Sequence, residues 1–291
     1  MKIASLIENN PGLADGQAYA AILGLTPSRG ARSPILWNAA FEAFGRSERM
    51  VALDILPENL EKVLEGLAAD ASFIGGAVTM PYKEKIADWL GPSRLEPQAE
   101  KIGAINCLYR DANGDLRGAN TDGEAALLVL QAALTDLDRR HALLMGPGGA
   151  GKSVAAYLAD SAASLTVAAR NPGTAGTFCN RLGAALIPFQ EVKRSLDRYD
   201  LIVNCTPLGF SHSDPTTSPI NQSDAALLRP ATFVFDIIYS PLCTPLLDMA
   251  RSRGLNTENG LQMNRLQAVQ AFVKATGISD AVKVQIAMKS V

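Results

Sequence analysis

Only four cysteines and two histidines occur in the 291 residues. Cys107, Cys179, Cys205 and Cys243 form no CxxC pair and stand far from His141 and His212, so neither a disulfide framework nor a zinc-type ligand set is on offer. Free thiols of this kind suit a reducing compartment. No apolar run reaches the ~20 residues that a membrane span needs. The stretch after Met1 soon meets Glu8, Asn9, Asn10 and Pro11, unlike a secretory leader. Charge of one sign is equally scarce: 27 basic and 29 acidic residues give a formal net charge of -2. The two signs are mixed along the chain, so no basic field exists to neutralise a phosphate backbone. These absences lead to the expectation of a cytoplasmic protein with a small-molecule partner, no nucleic acid, no membrane and no bound metal; monomer and homodimer both stay open.

What the chain does have is a composition for burial: 47% of its residues are hydrophobic and 19% charged, enough for two ordinary domains. β-like runs alternate with amphipathic stretches at 19–25, 34–44, 50–55 and 60–68, the rhythm of βαβ units. A hairpin is expected over 104–109 and 115–119, around Asp111, Ala112, Asn113 and Gly114. The pattern restarts after His141 with a strand at 142–145, a glycine loop at 146–151 and a helix over 152–160. Strands are then expected at 165–169, 201–204 and 233–237, as in a doubly wound sheet. A closing helix spans 262–276, with Gly254, Asn259 and Gly260 before it read as a hinge. The fold class is therefore α/β.

The glycine loop has two readings. Gly146, Pro147, Gly148, Gly149, Ala150, Gly151, Lys152 and Ser153 satisfy GxxxxGK[ST], the phosphate loop of a nucleotide-dependent phosphotransferase that would use Lys152 and Ser153. The same residues fit a dinucleotide loop in which Gly146, Gly148, Gly149 and Ala150 bring backbone to a pyrophosphate at a helix N-terminus. A triphosphatase also needs an acidic strand end for Mg²⁺. The strand at 201–204 ends instead in Asn204, Cys205, Thr206, although Asp236 closes another apolar run. At the end of the second strand stands Arg170 rather than a carboxylate, which favours the extra phosphate of NADP over NAD.

Elsewhere several polar islands match one family together. Thr79-Met80-Pro81-Tyr82-Lys83 resembles the TxPxK signature of shikimate dehydrogenases, 102–106 resembles their IGAxN segment, and 118–123 is similar to their GxNTDG motif. Asn204, Thr206 and Gly209, then Asp236, Tyr239, Pro241, Thr244, Pro245 and Leu246, then Gly260, Met263 and Gln267 continue the resemblance in the family's order. It covers most of the chain and implies a substrate-binding domain of residues 1–121 and 261–291, an NAD(P)-binding Rossmann domain of residues 122–260, and a C-terminal helix returning to the first domain. The implied activity is reversible NADP-linked reduction of 3-dehydroshikimate, or of the ketone of a related acid such as quinate. NAD remains possible as cofactor, and a non-catalytic dinucleotide-binding regulator remains an alternative.

The resemblance assigns catalysis to Lys83 and Asp122. Removing hydride from an alcohol carbon requires its hydroxyl proton to leave, and an ammonium beside a carboxylate can relay that proton. The substrate would be held by Ser33, Thr79, Asn106, Tyr239 and Gln267, with Asp122 helping to orient it. The cofactor would lie against the glycine loop, Arg170, Thr206, Ile237 and Gly260. The chain departs from the family where the ring carboxylate binds: Ala31 stands for a serine, Ala77 for an asparagine and Trp37 for a histidine, and the lead-in from Gly24 is one residue longer. A lost hydrogen bond to a charged group costs about 1.5–3 kcal/mol, a tenfold to hundredfold weakening, unless Arg29 or Arg32 compensates.

Overall fold

The computed structural model describes residues 3–13, 16–211 and 214–291, so His212 lies outside the described residues. The chain divides into two compact units, Met1–Thr121 with Arg265–Val291, and Asp122–Asn264.

The first unit runs β1 (Tyr19–Gly24), α1 (Ser33–Ala43), β2 (Arg49–Asp54), α2 (Leu60–Ala69), β3 (Phe73–Val78), α3 (Lys83–Leu90), α4 (Pro97–Ile102), β4 (Cys107–Arg110) and β5 (Leu116–Ala119). Its sheet has the order β2-β1-β3-β4-β5, parallel through β2, β1 and β3 and antiparallel beyond. All six residues of β1 are buried, as a central strand covered on both faces requires. Its neighbour β3 escaped the sequence reading because Gly75 and Gly76 break the strand pattern. Both are needed for closeness: a Cβ on Gly76, whose φ is +153°, would stand 1.9 Å from the Ala21 carbonyl oxygen of β1. The hairpin appears where expected, its turn closed by Asp111 Oδ1, which accepts from the Asn113 and Asp115 amides. The β4 strand begins only at Cys107: the Ile105 amide turns to the Lys83 carbonyl, while Asn106 still bonds to Val78 of β3 and Ala119 of β5.

Two asparagines cover the outer edge of β2. Asn38 exchanges hydrogen bonds with both backbone groups of Met50, while Asn9 donates to the Ala52 carbonyl and accepts from the Asp54 amide. Side-chain amides thus stand where another strand would pair.

The second unit comprises α5 (Asp122–Ala133), β6 (His141–Met145), α6 (Gly149–Ala159), β7 (Ser164–Ala169), α7 (Pro172–Leu182), β8 (Ala185–Pro188), β9 (Leu201–Asn204), α8 (Gln222–Ala225), β10 (Phe233–Asp236), α9 (Pro245–Ser252) and β11 (Thr257–Asn259). Its sheet is wholly parallel, in the order β8-β7-β6-β9-β10-β11, the doubly wound order that reverses direction between β6 and β9. One expectation needs correction. The helix after the glycine loop begins at Gly149, not Lys152, with Gly148 as its N-cap. The Lys152 amide already closes a helical turn onto the Gly148 carbonyl at 2.7 Å, so Gly149, Ala150 and Gly151 form the first turn. The last helices, α10 (Leu261–Thr276) and α11 (Ala281–Lys289), bring the chain back to the first unit from Arg265 onward. There α11 packs on α1 and buries Val284 and Met288 in one cluster with Trp37, Phe41 and Phe272.

Asp236, fully buried at the end of β10, ties the strand ends of the second sheet. Its Oδ1 accepts from Asn204 Nδ2 at 3.0 Å and from the Ile238 amide at 3.1 Å, and its Oδ2 accepts from Thr244 Oγ1 at 2.7 Å. Burial pushes the carboxyl up to about 6, while the three donors pull the other way. A value above the ordinary 3.8 means that the folded chain binds this proton more tightly than the unfolded one. The group's contribution to stability is then full below about pH 4 and is lost as the pH rises through about 6, amounting to about 3 kcal/mol at most. Asp236→Asn is expected to flatten the stability curve over that window, as measured by urea unfolding at a series of pH values. A variant curve parallel to the parent's would show that Asp236 does not titrate there.

Candidate active site

In the first unit Thr79, Lys83 and Asn106 gather at the C-terminal ends of β1 and β3. Thr79 follows β3, and its amide donates to the Leu23 carbonyl of β1 at 2.9 Å. Its methyl group occupies the space beside Gly24, where a Cβ would stand 2.5 Å away. Lys83, half-buried, opens α3, and its carbonyl accepts the Ile105 amide at 2.9 Å. The next residue, Asn106, receives the Val78 amide on its carbonyl at 2.8 Å and donates its own amide to Ala119 at 3.1 Å. Thr79, Lys83 and Asn106 are therefore fastened together by main-chain bonds.

The Asn106 side chain is buried and held at both ends. Its Oδ1 accepts the Thr121 amide at 2.8 Å, and its Nδ2 lies 2.9 Å from Thr121 Oγ1 and 3.1 Å from Gln267 Oε1. Thr121 Oγ1 also lies 3.0 Å from the Gln267 carbonyl. Two expected residues, Asn106 and Gln267, are thus joined directly and again through Thr121, a motif residue to which the sequence alone assigns no role. The signal was its place between Asn120, which donates to the Ala104 carbonyl, and Asp122. Ser33 is buried at the first position of α1, after the loop that leaves β1.

In the second unit Gly146, Thr206 and Ile237 stand at the ends of β6, β9 and β10, on either side of the reversal in strand order. Gly146 lies against Thr206, where a Cβ would meet the Thr206 methyl at 2.8 Å, and a Cβ on Gly151 would stand 2.0 Å from the Gly146 carbonyl oxygen, so only glycine fits there. Gly148, by contrast, faces open space. The first N–H groups of α6 lack intrahelical acceptors, so this surface fits a pyrophosphate approached by backbone alone. Asn204 Oδ1 accepts both the amide and the hydroxyl of Thr206, at 3.0 and 2.7 Å. Tyr239 is half-buried, its ring edge-on to Phe210 at 5.9 Å. Gly260 is a correction to the hinge reading: a Cβ there would lie 1.8 Å from the Ile237 carbonyl oxygen, so this glycine is required for contact rather than for turning. Asp122 is the buried first residue of α5, and the Gly123 beside it lets α6 approach. Burial, then the charges of Asp236 and Asp122, push the Cys205 thiol well up. Arg170 is exposed directly after β7.

The phosphate-loop reading fails on geometry. Ser153, which would have to reach Mg²⁺, is wholly buried, and a Cβ on Gly123 of α5 would lie 2.8 Å from its hydroxyl. The Lys152 ammonium lies 5.9 Å from the centre of the Phe178 ring. Asp236 is held by its three donors. Among the described residues no cluster of His, Cys, Asp and Glu could hold a metal ion, and no helix is long and apolar enough to cross a membrane. All four cysteines are free; Cys107 and Cys179 are buried, Cys205 and Cys243 half-buried.

The departures at the substrate loop converge. Trp37 and Ala77 belong to one apolar cluster, and Ala31 packs against it. The longer loop folds as a short helical turn at Pro27–Arg29, pinned by Ser28, whose amide and hydroxyl both donate to Asp54, at 2.9 and 2.5 Å. Arg29 is exposed, and Arg32 Nη2 lies 3.3 Å from the Val291 carbonyl.

Comparison with known proteins gives this geometry a family. Residues 26–108 match the shikimate dehydrogenase substrate-binding domain, and residues 128–237 match the shikimate/quinate 5-dehydrogenase domain. The shikimate dehydrogenase (NADP(+)) of Rubrobacter xylanophilus is 37% identical, over 84% of this chain and 86% of its own. That of Methanosarcina barkeri is 34% identical, over 86% and 90%. Among solved structures, shikimate 5-dehydrogenase from Thermus thermophilus in complex with NADP(H) and shikimate superposes with a TM-score of 0.78 at 29% identity, over 94% of this chain and 99% of that one. Quinate dehydrogenase from Corynebacterium glutamicum in complex with NAD gives 0.81 at 25% identity, over 94% and 99%. With both domain models matched and the relatives aligned over most of its length, the chain belongs to the shikimate dehydrogenase family of NADP-linked oxidoreductases.

Proposed function

We propose that the chain interconverts 3-dehydroshikimate and shikimate, or the ketone and alcohol of a related ring acid such as quinate, with NADP, and that it does so in the cytoplasm as a monomer or homodimer. The first unit would bind substrate and the second the cofactor. The observation that carries this reading is the main-chain fastening of Thr79, Lys83 and Asn106 into one group, with Gln267 added through Thr121. A ring bearing several hydroxyls requires such a set of fixed donors and acceptors.

Bound nicotinamide would supply or accept the hydride. Lys83 would donate to the reacting oxygen and give up or take the hydroxyl proton, and Asp122 would orient both the lysine and the ring. Ser33 would hold the carboxylate, Thr79, Asn106 and Gln267 the ring hydroxyls, and Tyr239 the ring itself. Gly146, Gly148, Gly149 and Ala150 would admit the pyrophosphate, with Thr206, Ile237 and Gly260 along the remainder of the dinucleotide. Arg170, exposed after β7, would pair with the phosphate that distinguishes NADP.

Lys83→Ala is expected to lower kcat by about 10²–10⁴-fold, the usual contribution of a proton-transfer group, with binding of NADP unaffected. Steady-state oxidation of shikimate and quinate, followed by absorbance of reduced cofactor, is the measurement, and full turnover by the variant would refute the assignment. Arg170→Ala is expected to raise KM for NADP by about tenfold or more while leaving that for NAD unchanged. An equal effect on both cofactors would remove Arg170 from the phosphate site.

A further inference from the structure

The direction of every hydrogen bond around Asn106 follows from one main-chain group. A backbone N–H can only donate, so the Asn106 atom 2.8 Å from the Thr121 amide is the oxygen Oδ1. The other end of that side chain is then the NH2 group, and the atoms it meets, Thr121 Oγ1 at 2.9 Å and Gln267 at 3.1 Å, must accept. Thr121 Oγ1, with a lone pair engaged by Asn106 Nδ2, has a single proton within reach of two acceptors, and the Gln267 carbonyl at 3.0 Å is nearer than Asn106 Oδ1 at 3.2 Å. Gln267 accordingly turns Oε1 toward Asn106, and its other end is the donor Nε2.

We infer that Thr121 is a positioning residue for substrate recognition: by orienting Asn106 and anchoring the Gln267 backbone, it makes Gln267 a hydrogen-bond donor to an oxygen of the ring. This rests on the reading of Gln267 as a substrate-binding residue given above and adds the polarity of its contact. Specificity follows from it. The ring position opposite Gln267 has to carry an oxygen with a lone pair to offer, and a group that can only donate is rejected there.

Gln267→Glu separates the two polarities, because the carboxylate still accepts from Asn106 but has no donor for the ring. KM for the ring acid is expected to rise about tenfold or more, exceeding any fall in kcat. A KM within about twofold of the parent's would mean that Gln267 accepts, which overturns the inference. Thr121→Val keeps the amide and removes the hydroxyl; it should raise KM severalfold, and Thr121→Ser should restore it. An unchanged KM in the valine variant overturns the positioning role. A substrate-free arm keeps this distinct from the proposed function. The side-chain NH2 protons of Asn106 should exchange slowly with solvent by NMR in the parent and faster in Thr121→Val, and equal exchange in the two overturns the relay. A parent that oxidises neither shikimate nor quinate would instead count against the proposed function, with the exchange measurement still deciding the relay.

Discussion

Three main-chain hydrogen bonds hold the candidate site residues of the first unit together. Val78 donates to Asn106, Ile105 donates to Lys83, and Asn106 donates to Ala119. Through them a segment of four residues between α4 and β4 is sewn to the end of β3, to the start of α3 and to the end of β5. Because β5 runs straight on into Asn120 and Thr121, the last of these bonds also fixes the residues before Asp122. Side chains placed in this way inherit the stiffness of a sheet rather than the mobility of loops, which is what a site with sub-ångström demands needs. The cost is borne at β3, which approaches β1 so closely that only glycine fits at residue 76.

The second unit meets the same requirement by a different device. Its strands are all parallel, so their C-terminal ends carry no hairpin to brace them. A buried carboxylate does the bracing: Asp236 gathers donors from β9, from its own loop and from the cap of α9. Isolated, such a group would be expensive to bury, and its raised pKa records part of that expense. Asn204 extends the network to Thr206, so the residue at the reversal of strand order is set by a chain of bonds that starts at a charge. Glycines at 146, 151 and 260 then bring the backbone of neighbouring segments to distances that no side chain permits. The contrast is informative: one unit positions hydrogen-bonding side chains, and the other clears side chains away.

How much of this was legible in the sequence differs by element. Strands with unbroken apolar runs, such as 142–145 and 201–204, were readable because burial on both faces leaves a continuous signal. β3 was not, since its two glycines serve a neighbour that only the fold supplies. The start of α6 was misplaced by three residues because glycines read as loop, although a helix opening against phosphate tolerates them in its first turn. The candidate site residues rest on short motifs, in which residue type and spacing survive. The role of Thr121 was not, because it depends on which atom of Asn106 faces which partner, and spacing carries no information about that. Asp236 was read as a possible Mg²⁺ ligand for the same reason: an acidic residue ending a strand looks alike whether its oxygens face a metal or three protein donors.

The apolar substitutions at the rim bear on where affinity for a ring can arise. Ala31, Trp37 and Ala77 meet in one cluster, and among the described residues the Trp37 indole N–H has no hydrogen-bond acceptor. Its ring stands edge-on to Phe272 at 5.2 Å, so the indole is engaged with aromatic rings rather than with a pocket. Ser28, the hydroxyl that the longer loop brings nearby, donates to Asp54 and does not replace the one missing at residue 31. Packing thus fills the place where the resemblance led to an expectation of polar groups. Apolar packing stabilises the first unit but cannot distinguish one ring oxygen from another, whereas a site built to hydrogen-bond a hydroxyl discriminates strongly against a ligand without it. Under the proposed function, selectivity for a polyhydroxylated ring would then have to come from the polar group of Thr79, Asn106 and Gln267, in which Asn106 donates to Gln267.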